Sequence, residues 1–281
     1  MQTLESLLKK GTTILKDNGL EEAGLDAWLL LEFKTGKNRA YYFAHGDEPV
    51  SDETAAEYLT LIDRRAGHIP VQQLTHQAFF MGYEFYVNEN VLIPRQDTEC
   101  LVEQVLPFCP GKKVLDLCTG SGCIGISLAV LGGPAAVVLA DVSGEALKVA
   151  EKNAENHGVK PVFCQGDLFE NVPADLFDVI VSNPPYIASE EIQKLMPEVQ
   201  DHEPVLALDG REDGLYFYRK IIELSSSYLA DQGMLAFEIG YDQGESVAEL
   251  MRKKGFQQVE VKKDLAGLDR IVTGHICHNG G

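Results

Sequence analysis

The tetrapeptide Asn183-Pro184-Pro185-Tyr186 has the residue types and spacing for chemistry on nitrogen, and it directly follows an apolar stretch, residues 179–182, that predicts a strand. A proline pair is rigid, so the Asn183 side chain and the Pro184 carbonyl are held in fixed directions and offer two acceptors to one planar NH₂ group. Tyr186 can stack on the plane of that group. The arrangement favours methyl transfer to an amide or exocyclic amine nitrogen, because two accepted hydrogen bonds orient this poor nucleophile.

A glycine-rich segment, Asp116-Leu-Cys-Thr-Gly-Ser-Gly122, lies between a predicted strand at 114–117 and a predicted helix at 124–131. Glycines let the backbone turn sharply and approach a ligand closely, and a helix N-terminus favours negative charge. The overlapping Gly120-Ser-Gly-Cys-Ile-Gly125 matches a dinucleotide pattern that fits NAD as well as S-adenosylmethionine. The candidate ligand-binding residues of this loop are Cys118, Thr119, Gly120, Ser121 and Gly122.

Two acidic residues follow the next predicted strands, at 136–140 and 162–164. Asp141 could accept both hydroxyls of a ribose, or it could cap the next helix. Asp167 could accept from an adenine amino group while Leu168 covers the ring, or it could belong to an ordinary turn. A glycine loop with an acid at the end of the following strand favours a nucleoside ligand.

The elements that must position these residues alternate between strands and helices, which predicts a parallel sheet covered on both faces. The chain ends differently, with two predicted strands at 258–261 and 270–273 and no helix between them. A Rossmann-like, mostly parallel sheet that ends in an antiparallel pair is the class I methyltransferase architecture. The other predicted elements are strands at 179–182 and 234–238 and helices at 97–106, 144–156 and 215–229.

The N-terminal part predicts a separate small domain. Apolar residues at helical spacing, an N-cap at Ser51 and a stop at Gly67 predict a helical bundle over residues 1–67. Strand formers around Gly82 predict a β-hairpin linker within 68–95, and residues 96–281 form the methyltransferase domain. The bundle could be a packing module or a partner-docking domain, and its residues alone leave both open.

Composition excludes several classes of protein. The chain carries 24 Lys and Arg against 43 Asp and Glu, a net charge of −19. This balance disfavours a dedicated nucleic-acid binder. Six cysteines without a C-x-x-C pair predict free thiols, and no signal peptide or membrane span is expected, so we expect a cytoplasmic protein. His275, Cys277 and His278 could bind adventitious metal, but a frayed tail is the preferred interpretation, and no metal cofactor is expected.

Together, these segments resemble the release factor glutamine methyltransferases over nearly the whole chain. The tetrapeptide itself is typical of amino-group methyltransferases in general, whereas the flanking segments are specific to this smaller family. Those segments are Leu92-Ile-Pro-Arg-Gln-Asp-Thr-Glu99, Val114-Leu-Asp-Leu-Cys-Thr-Gly-Ser-Gly-Cys-Ile124, Glu198-Val-Gln-Asp-His-Glu-Pro204, Leu206-Ala-Leu-Asp-Gly210, Asp213-Gly214, Glu238-Ile-Gly-Tyr241 and Lys263-Asp-Leu-Ala-Gly267.

The resemblance implies S-adenosylmethionine as methyl donor and the glutamine of the Gly-Gly-Gln loop of peptide chain release factors as acceptor. It places residues 118–122, Asp141, Leu168 and Asn183 around the cofactor, and Asn183, Pro184, Pro185 and Tyr186 around the glutamine. The sequence departs from the family at Cys118, where glycine is common, and at Gln96-Asp97, where Pro-Glu is usual.

Three other interpretations stay open at this point. A DNA or RNA adenine methyltransferase uses the same tetrapeptide, but it would need a basic cleft and a base-flipping apparatus. An NAD-dependent oxidoreductase would use the glycine loop and leave residues 183–186 unexplained. A non-catalytic scaffold would make the helical bundle the functional part. We expect a monomer that binds neither nucleic acid nor membrane.

Overall fold

A computed structural model describes residues 2–278 and divides the chain into two compact units. The helical unit comprises the described residues up to Gln77 together with residues 196–202. The sheet unit comprises residues 78–195 and those from Glu203 onward. Within the described residues, no helix is both long and apolar enough to cross a membrane.

The helical unit is built from short helices with defined starts. Thr3 forms a capping box with Ser6, and the Ser51 side chain accepts from the Thr54 backbone N–H, as expected for the N-cap predicted there. Its elements are strands β1 (Gln2–Thr3) and β2 (Pro49–Val50) and helices α1 (Leu4–Asp17), α2 (Ala23–Thr35), α3 (Arg39–Ala44), α4 (Asp52–Ala66), α5 (Val71–Thr75) and, from the 196–202 segment, α9 (Pro197–Gln200).

One face of each long helix forms the core of this unit. Leu7, Leu30, Tyr58 and Ile62 are fully buried. The opposite side of α2 is different: Leu25, Leu29 and Phe33, four residues apart, are about 40% exposed, at 46%, 38% and 40%. Residues at this spacing line one face of a helix, so α2 carries an apolar stripe on its outer side.

The predicted hairpin is present. Strand β3 (Gln77–Phe80) pairs with β4 (Tyr83–Tyr86) through the two-residue connection Met81-Gly82. Both turn residues have positive φ, 52° and 77°, as the tight hairpin turn requires.

The sheet unit contains a seven-stranded sheet in the order β10-β11-β9-β8-β5-β6-β7. Strands β9, β8, β5, β6 and β7 are parallel, and β11 is antiparallel to both β9 and β10. This confirms the predicted class I methyltransferase fold. The strands are β5 (Lys113–Leu117), β6 (Ala136–Asp141), β7 (Val162–Gln165), β8 (Phe177–Ser182), β9 (Leu229–Glu238), β10 (Gln257–Lys263) and β11 (Asp269–His275).

Helices cover both faces of this sheet, and alternate strand residues enter two separate cores. Leu115 belongs to the core under α11 and α12, whereas its neighbour Val114 belongs to the core under α6 and α7. The helices are α6 (Gln96–Val105), α7 (Cys123–Gly132), α8 (Gly144–Asn156), α10 (Val205–Leu208), α11 (Tyr216–Ser225) and α12 (Gly244–Lys254), with 3-10 turns at Leu106–Phe108 and Ile192–Lys194.

The predicted helix over 215–229 was wrong at its end. Helix α11 stops at Ser225, and Leu229 already lies in strand β9, where it pairs with Phe177. Three consecutive serines are weak helix formers, and strand pairing with β8 prevails over the apolar pattern.

The C-terminal residues 275–278 are also not frayed. The His278 backbone N–H donates to Asp231 (3.0 Å), and the Ile276 N–H donates to the Gly233 carbonyl (3.0 Å). Among residues 2–278, no group of His, Cys, Asp and Glu is arranged to hold a metal ion.

Candidate active site

A cleft opens at the carboxyl ends of β5, β6 and β8, where parallel strands of this architecture present their loops. It encloses about 990 Å³ of space continuous with solvent. Nine of the predicted site residues line it: Cys118, Thr119, Gly120, Ser121, Asp141, Asp167, Leu168, Asn183 and Pro185. Gly122, Pro184 and Tyr186 lie outside the lining, and their place is described below.

The glycine loop leaves β5 with Cys118 in the left-handed region, at φ 57°. This conformation explains why glycine suits the position, since a side chain is strained there. Gly122 has φ 81°, and a Cβ on it would lie 2.7 Å from Ile126 Cδ1 and 3.1 Å from Ala150 Cβ. The loop therefore depends on glycine at 122 for close packing against α7 and α8, not for contact with a ligand.

Asp116, a buried residue near the end of strand β5, holds this loop from behind. Its Oδ2 accepts from the Thr119 hydroxyl (2.6 Å) and from the Gly125 backbone N–H (2.9 Å), while Oδ1 has no hydrogen-bond partner among the described residues. Burial raises the pKa of Asp116 to about 7, and the Thr119 and Gly125 bonds offset part of that rise. An acid inside an otherwise apolar strand was the sequence signal for this role, which our list of candidate residues did not include.

Asn153 supports the loop from the next helix. This fully buried side chain donates to the Ser121 carbonyl (2.9 Å) and to the Tyr86 carbonyl (3.0 Å), and it accepts from the Tyr86 N–H (2.7 Å). The glycine loop is thereby joined to the hairpin.

Asp141 lies at the end of β6 with both oxygens facing backbone donors. Oδ2 accepts from the Gly120 N–H (2.8 Å) and Oδ1 from the Ser143 N–H (2.9 Å). Asp141 is not the N-cap of α8, because the Ser143 side chain caps that helix. Burial raises the pKa of Asp141, against the backbone hydrogen bonds that lower it.

Asp167 and Leu168 form the far side of the cleft after β7. Leu168 is in the left-handed region, at φ 52°, and is partly buried, whereas Asp167 is exposed. The Asp167 N–H donates to Glu170 (3.2 Å), so a turn is present here and both cleft-lining side chains project from it.

The Cys118 thiol faces the same cleft. Burial, and then the nearby Asp141 carboxylate, raise the pKa of Cys118 far above its usual value. A neutral thiol is a poor nucleophile, so this cysteine does not compete for an electrophile bound in the cleft.

The tetrapeptide begins where β8 ends. The Ser182 hydroxyl donates to the Leu117 carbonyl (2.7 Å) and fixes the end of β8 against β5. Asn183 is half-buried and lines the cleft, and its Nδ2 lies 3.5 Å from the Thr98 Oγ1 of helix α6. With Nδ2 turned toward α6, the Asn183 Oδ1 is left to accept from a ligand.

Tyr186 follows two buried prolines and is fixed through its backbone. The Gln243 side chain donates to the Tyr186 carbonyl (2.9 Å), and a Cβ on Gly210 would lie 2.7 Å from the Tyr186 Cα. Because the Tyr186 backbone lies so close, position 210 has no room for a side chain, which explains the glycine there. Burial raises the pKa of the Tyr186 hydroxyl to about 12, so it stays protonated.

An ion pair closes one side of the cleft. Arg95 Nη2 lies 2.7 Å from Glu203 Oε1, and the Glu203 side chain is 1% exposed. Burial raises the pKa of Glu203, and Arg95 offsets this rise. In the sequence, both residues stand out only as parts of longer segments, Leu92–Glu99 and Glu198–Pro204. Thr98 and Ala207 also line the cleft and lie in such segments, Ala207 in Leu206–Gly210, whereas Asn90, Val91, Val142 and Phe217 are lining residues that the sequence did not single out.

Comparison with known proteins identifies the family. Residues 6–75 match the model described as "PrmC N-terminal domain", and residues 96–202 match the "Methyltransferase small domain". A release factor glutamine methyltransferase from Clostridium acetobutylicum is 37% identical over 96% of this chain and 97% of its own. One from Bacillus subtilis is 38% identical over 99% of this chain and 100% of its own. The chain belongs to the release factor glutamine methyltransferases.

A solved structure supports the fold of this family member. A methyltransferase from Pyrococcus furiosus superimposes with a TM-score of 0.56 and 16% identity, covering 77% of this chain and 99% of the other. Because the curated relatives are release factor glutamine methyltransferases, the oxidoreductase and scaffold alternatives are wrong, and the protein is an enzyme that transfers methyl groups.

Proposed function

We propose that this enzyme methylates the side-chain amide nitrogen of the glutamine in the Gly-Gly-Gln loop of peptide chain release factors. S-adenosylmethionine is the donor and S-adenosylhomocysteine the product. The observation that carries the proposal is the position of Asn183, which lines the cleft with its amide nitrogen turned toward α6, in a chain of this family.

The cleft fits the cofactor. An ionised carboxylate offers about four acceptor positions, and two of those on Asp141 are taken by backbone N–H groups, which leaves two for ribose hydroxyls. Leu168 and Val142 supply apolar surface for an adenine ring, and Asp167 can accept from its amino group. Cys118, Thr119, Gly120 and Ser121 form the wall toward the methionine portion. Acidic side chains around the cleft favour a cation there.

The acceptor amide is held by the tetrapeptide. Asn183 Oδ1 and the Pro184 carbonyl accept its two N–H bonds, Pro185 shapes the cleft wall, and Tyr186 stacks on its plane. S-adenosylmethionine supplies an electrophilic methyl group on a sulfonium centre. The two acceptors raise the electron density on the amide nitrogen and stabilise positive charge that develops on it, and the nitrogen loses its proton to water afterwards. Neither a metal ion nor a strong base is needed.

The helical unit is proposed as the docking surface for the release factor. A loop flanked by glycines offers little side-chain surface, so substrate selection needs contacts away from the reacting group. The apolar stripe of Leu25, Leu29 and Phe33 supports this role. The same unit exposes a further aromatic ring, that of Phe43, which is 74% exposed.

We further propose that the enzyme acts as a monomer in the cytoplasm and contacts neither nucleic acid nor membrane. The six cysteines are all free thiols, which suits a reducing compartment. Sedimentation of the purified protein tests the monomer, for which a single species near the chain mass of 30.9 kDa is expected.

The deciding experiment offers the enzyme labelled S-adenosylmethionine with three acceptors in parallel. These are intact release factor, the same factor with its loop glutamine changed to alanine, and an adenine-containing DNA duplex. Label is expected in the first alone. Label in the duplex would instead support an adenine methyltransferase, and equal labelling of the two release factors would place the methyl group on another residue.

A further inference from the structure

Strand register places a buried acid directly beside the tetrapeptide. In the parallel pair β8–β9, Ser182 lies opposite Phe237, so the residues that follow them, Asn183 and Glu238, are neighbours. Glu238 is only 2% exposed and is not part of the cleft lining. Its Oε2 is buried and has no hydrogen-bond partner among residues 2–278. A buried carboxylate with an unused acceptor costs stability, so its retention at this point calls for a functional explanation.

The cation that acts on Glu238, Arg270, forms no ion pair with it among the described residues. The Arg270 side chain is bonded to Asp264 (Nη2 to Oδ2, 3.1 Å), to Asp97 (3.3 Å) and to the Ile239 carbonyl (3.3 Å). Arg270 therefore acts on Glu238 only through space, and Asp97 opposes it. Tyr186 and Tyr218 also lie near, and both stay protonated.

Burial raises the pKa of Glu238 to about 7 in spite of Thr98, Arg270 and Asn183, which favour the charged form. The side chains of Thr98 and Asn183 are thus the polar neighbours of this carboxylate. Thr98 is itself 3% exposed and lies 3.5 Å from Asn183 Nδ2. Glu238, Thr98 and Asn183 form one cluster behind the cleft wall.

An asparagine amide has nearly the same shape in both flipped orientations, so only its hydrogen-bond partners decide which end faces a ligand. An ionised carboxylate and a hydroxyl behind Asn183 select the orientation in which Nδ2 points inward. The opposite flip would present an NH₂ group to the NH₂ group of the acceptor, and two donors cannot bond.

We propose that Glu238 is a positioning residue: its carboxylate, with the Thr98 hydroxyl, holds Asn183 Nδ2 inward so that Oδ1 accepts from the glutamine amide. The proposal rests on the proposed role of Asn183. Glu238 does not touch substrate or cofactor in this scheme. Its ionised form is the competent one, because a protonated carboxyl can donate to Asn183 Oδ1 and favour the wrong flip.

The main test is Glu238→Gln in the full-length enzyme, with a Gly-Gly-Gln peptide as acceptor. The kcat is expected to fall at least tenfold, while the calorimetric Kd for S-adenosylmethionine changes less than threefold. In wild type, kcat is expected to rise with pH through about 7, and the variant is expected to lose that rise. The matched control is Glu260→Gln, the same change at an exposed position of strand β10 in the same sheet. It should leave kcat and the Kd for S-adenosylmethionine unchanged.

A double-mutant cycle separates positioning from a general structural effect. If Glu238 acts through Asn183, Glu238→Gln should cost nothing further in an Asn183→Ala background. Additive losses, or a wild-type kcat and pH profile in Glu238→Gln, overturn the proposal. If Glu238→Gln does not fold, Thr98→Val replaces it in the same cycle and must show the same non-additivity. Failure of wild type to methylate the peptide or release factor would refute the proposed function itself, which keeps the two failures distinct.

Discussion

The helical unit pairs its buried charges, whereas the sheet unit holds both paired and unpaired buried acids. In the helical unit, Asp26 and Arg65 are both buried and form an ion pair of 2.7 Å, and Arg65 also bonds Glu198 (3.0 Å) of the 196–202 segment. In the sheet unit, Asp116 and Glu238 are buried without a bonded cation, and each has one carboxylate oxygen without a partner.

This difference separates charges that hold a fold together from charges that prepare a site. Burial pushes the pKa of Glu198 up, but its own backbone N–H, Arg65 and His68 together hold it below the usual value. Burial wins at Asp116 and Glu238, whose pKa values rise to about 7. Strongly perturbed acids that support ligand-facing loops are typical of functional sites.

The largest expected effect is on folding stability, through the buried ion pair of the helical unit. Arg65→Met leaves the buried Asp26 without its cation and should cost about 3–5 kcal/mol of folding free energy. Trp28, the only tryptophan of the chain, lies in the helical unit, so urea unfolding followed by its fluorescence reports this unit. Arg64→Met, on the exposed side of the same helix, is the control. A shift no larger than that of the control would show that the buried pair stabilises nothing.

Asn183→Ala should have the largest effect on chemistry. Removing one preorganised hydrogen-bonding group from a transition state lowers kcat by about 10²–10³-fold, and a similar loss is expected here. The affinity for S-adenosylmethionine should change far less, as equilibrium binding can show. Pro184→Ala should be milder, since its carbonyl remains. Methylation at a near wild-type rate by Asn183→Ala would refute the acceptor pair.

Asp116→Asn should change how stability depends on pH. The folded pKa of about 7 lies above the unfolded value of 3.8, so the native state binds more protons between these values. Stability of the sheet unit therefore falls as pH rises from about 4 to about 7, by up to a few kcal/mol. The variant should lose part of this slope and keep the part due to Glu238. Calorimetric unfolding at pH 5 and pH 8 measures this slope, and an unchanged slope would contradict the raised pKa of Asp116.

Asp141→Ala should weaken the binding of S-adenosylmethionine, because each lost charge-assisted hydrogen bond costs about 1.5–3 kcal/mol of binding free energy. The loop will also lose the bond from the Gly120 N–H. Titration calorimetry on the folded variant measures the affinity, with Asp175→Ala, an exposed acid that does not line the cleft, as the control. Equal affinities in wild type and Asp141→Ala would mean that the ribose does not bind there.

Local patterns predicted most of the fold and the cleft, because glycine loops, caps and strand-end acids are set by neighbouring residues. Asp141 and Asn183 were identified in this way. Glu238 and Thr98 were not, since their proximity to Asn183 depends on the register of β8 with β9 and on the packing of α6. The exposed face of α2 was missed for the same reason: Leu25 and Leu29 predict a helix, but only tertiary packing shows which side faces solvent.

The smallest expected effect concerns the outer surface of the helical unit. Leu29→Ser with Phe33→Ser removes the centre and end of the apolar stripe, and neither side chain belongs to the buried core of the unit. If the release factor docks there, KM for the intact release factor should rise several-fold. A rise of this size is expected when one or two interface residues that are not hot spots are lost. A Gly-Gly-Gln peptide should be methylated as before, and Lys16→Ser on exposed α1 is the control.

A salt series sharpens this last comparison. The chain up to Pro94 has 8 Lys and Arg against 14 Asp and Glu, so docking through its acidic surface should weaken as salt increases. The exposed rings are instead accompanied by cations: Lys34 lies over the Phe33 ring of the stripe (5.5 Å), and Arg39 lies over the Phe43 ring of α3 (6.0 Å). If docking is apolar, KM for the release factor should depend little on salt. It should instead rise strongly in the Leu29→Ser, Phe33→Ser variant. Equal losses on protein and peptide, with a lower melting temperature, would make the helical unit a packing module only.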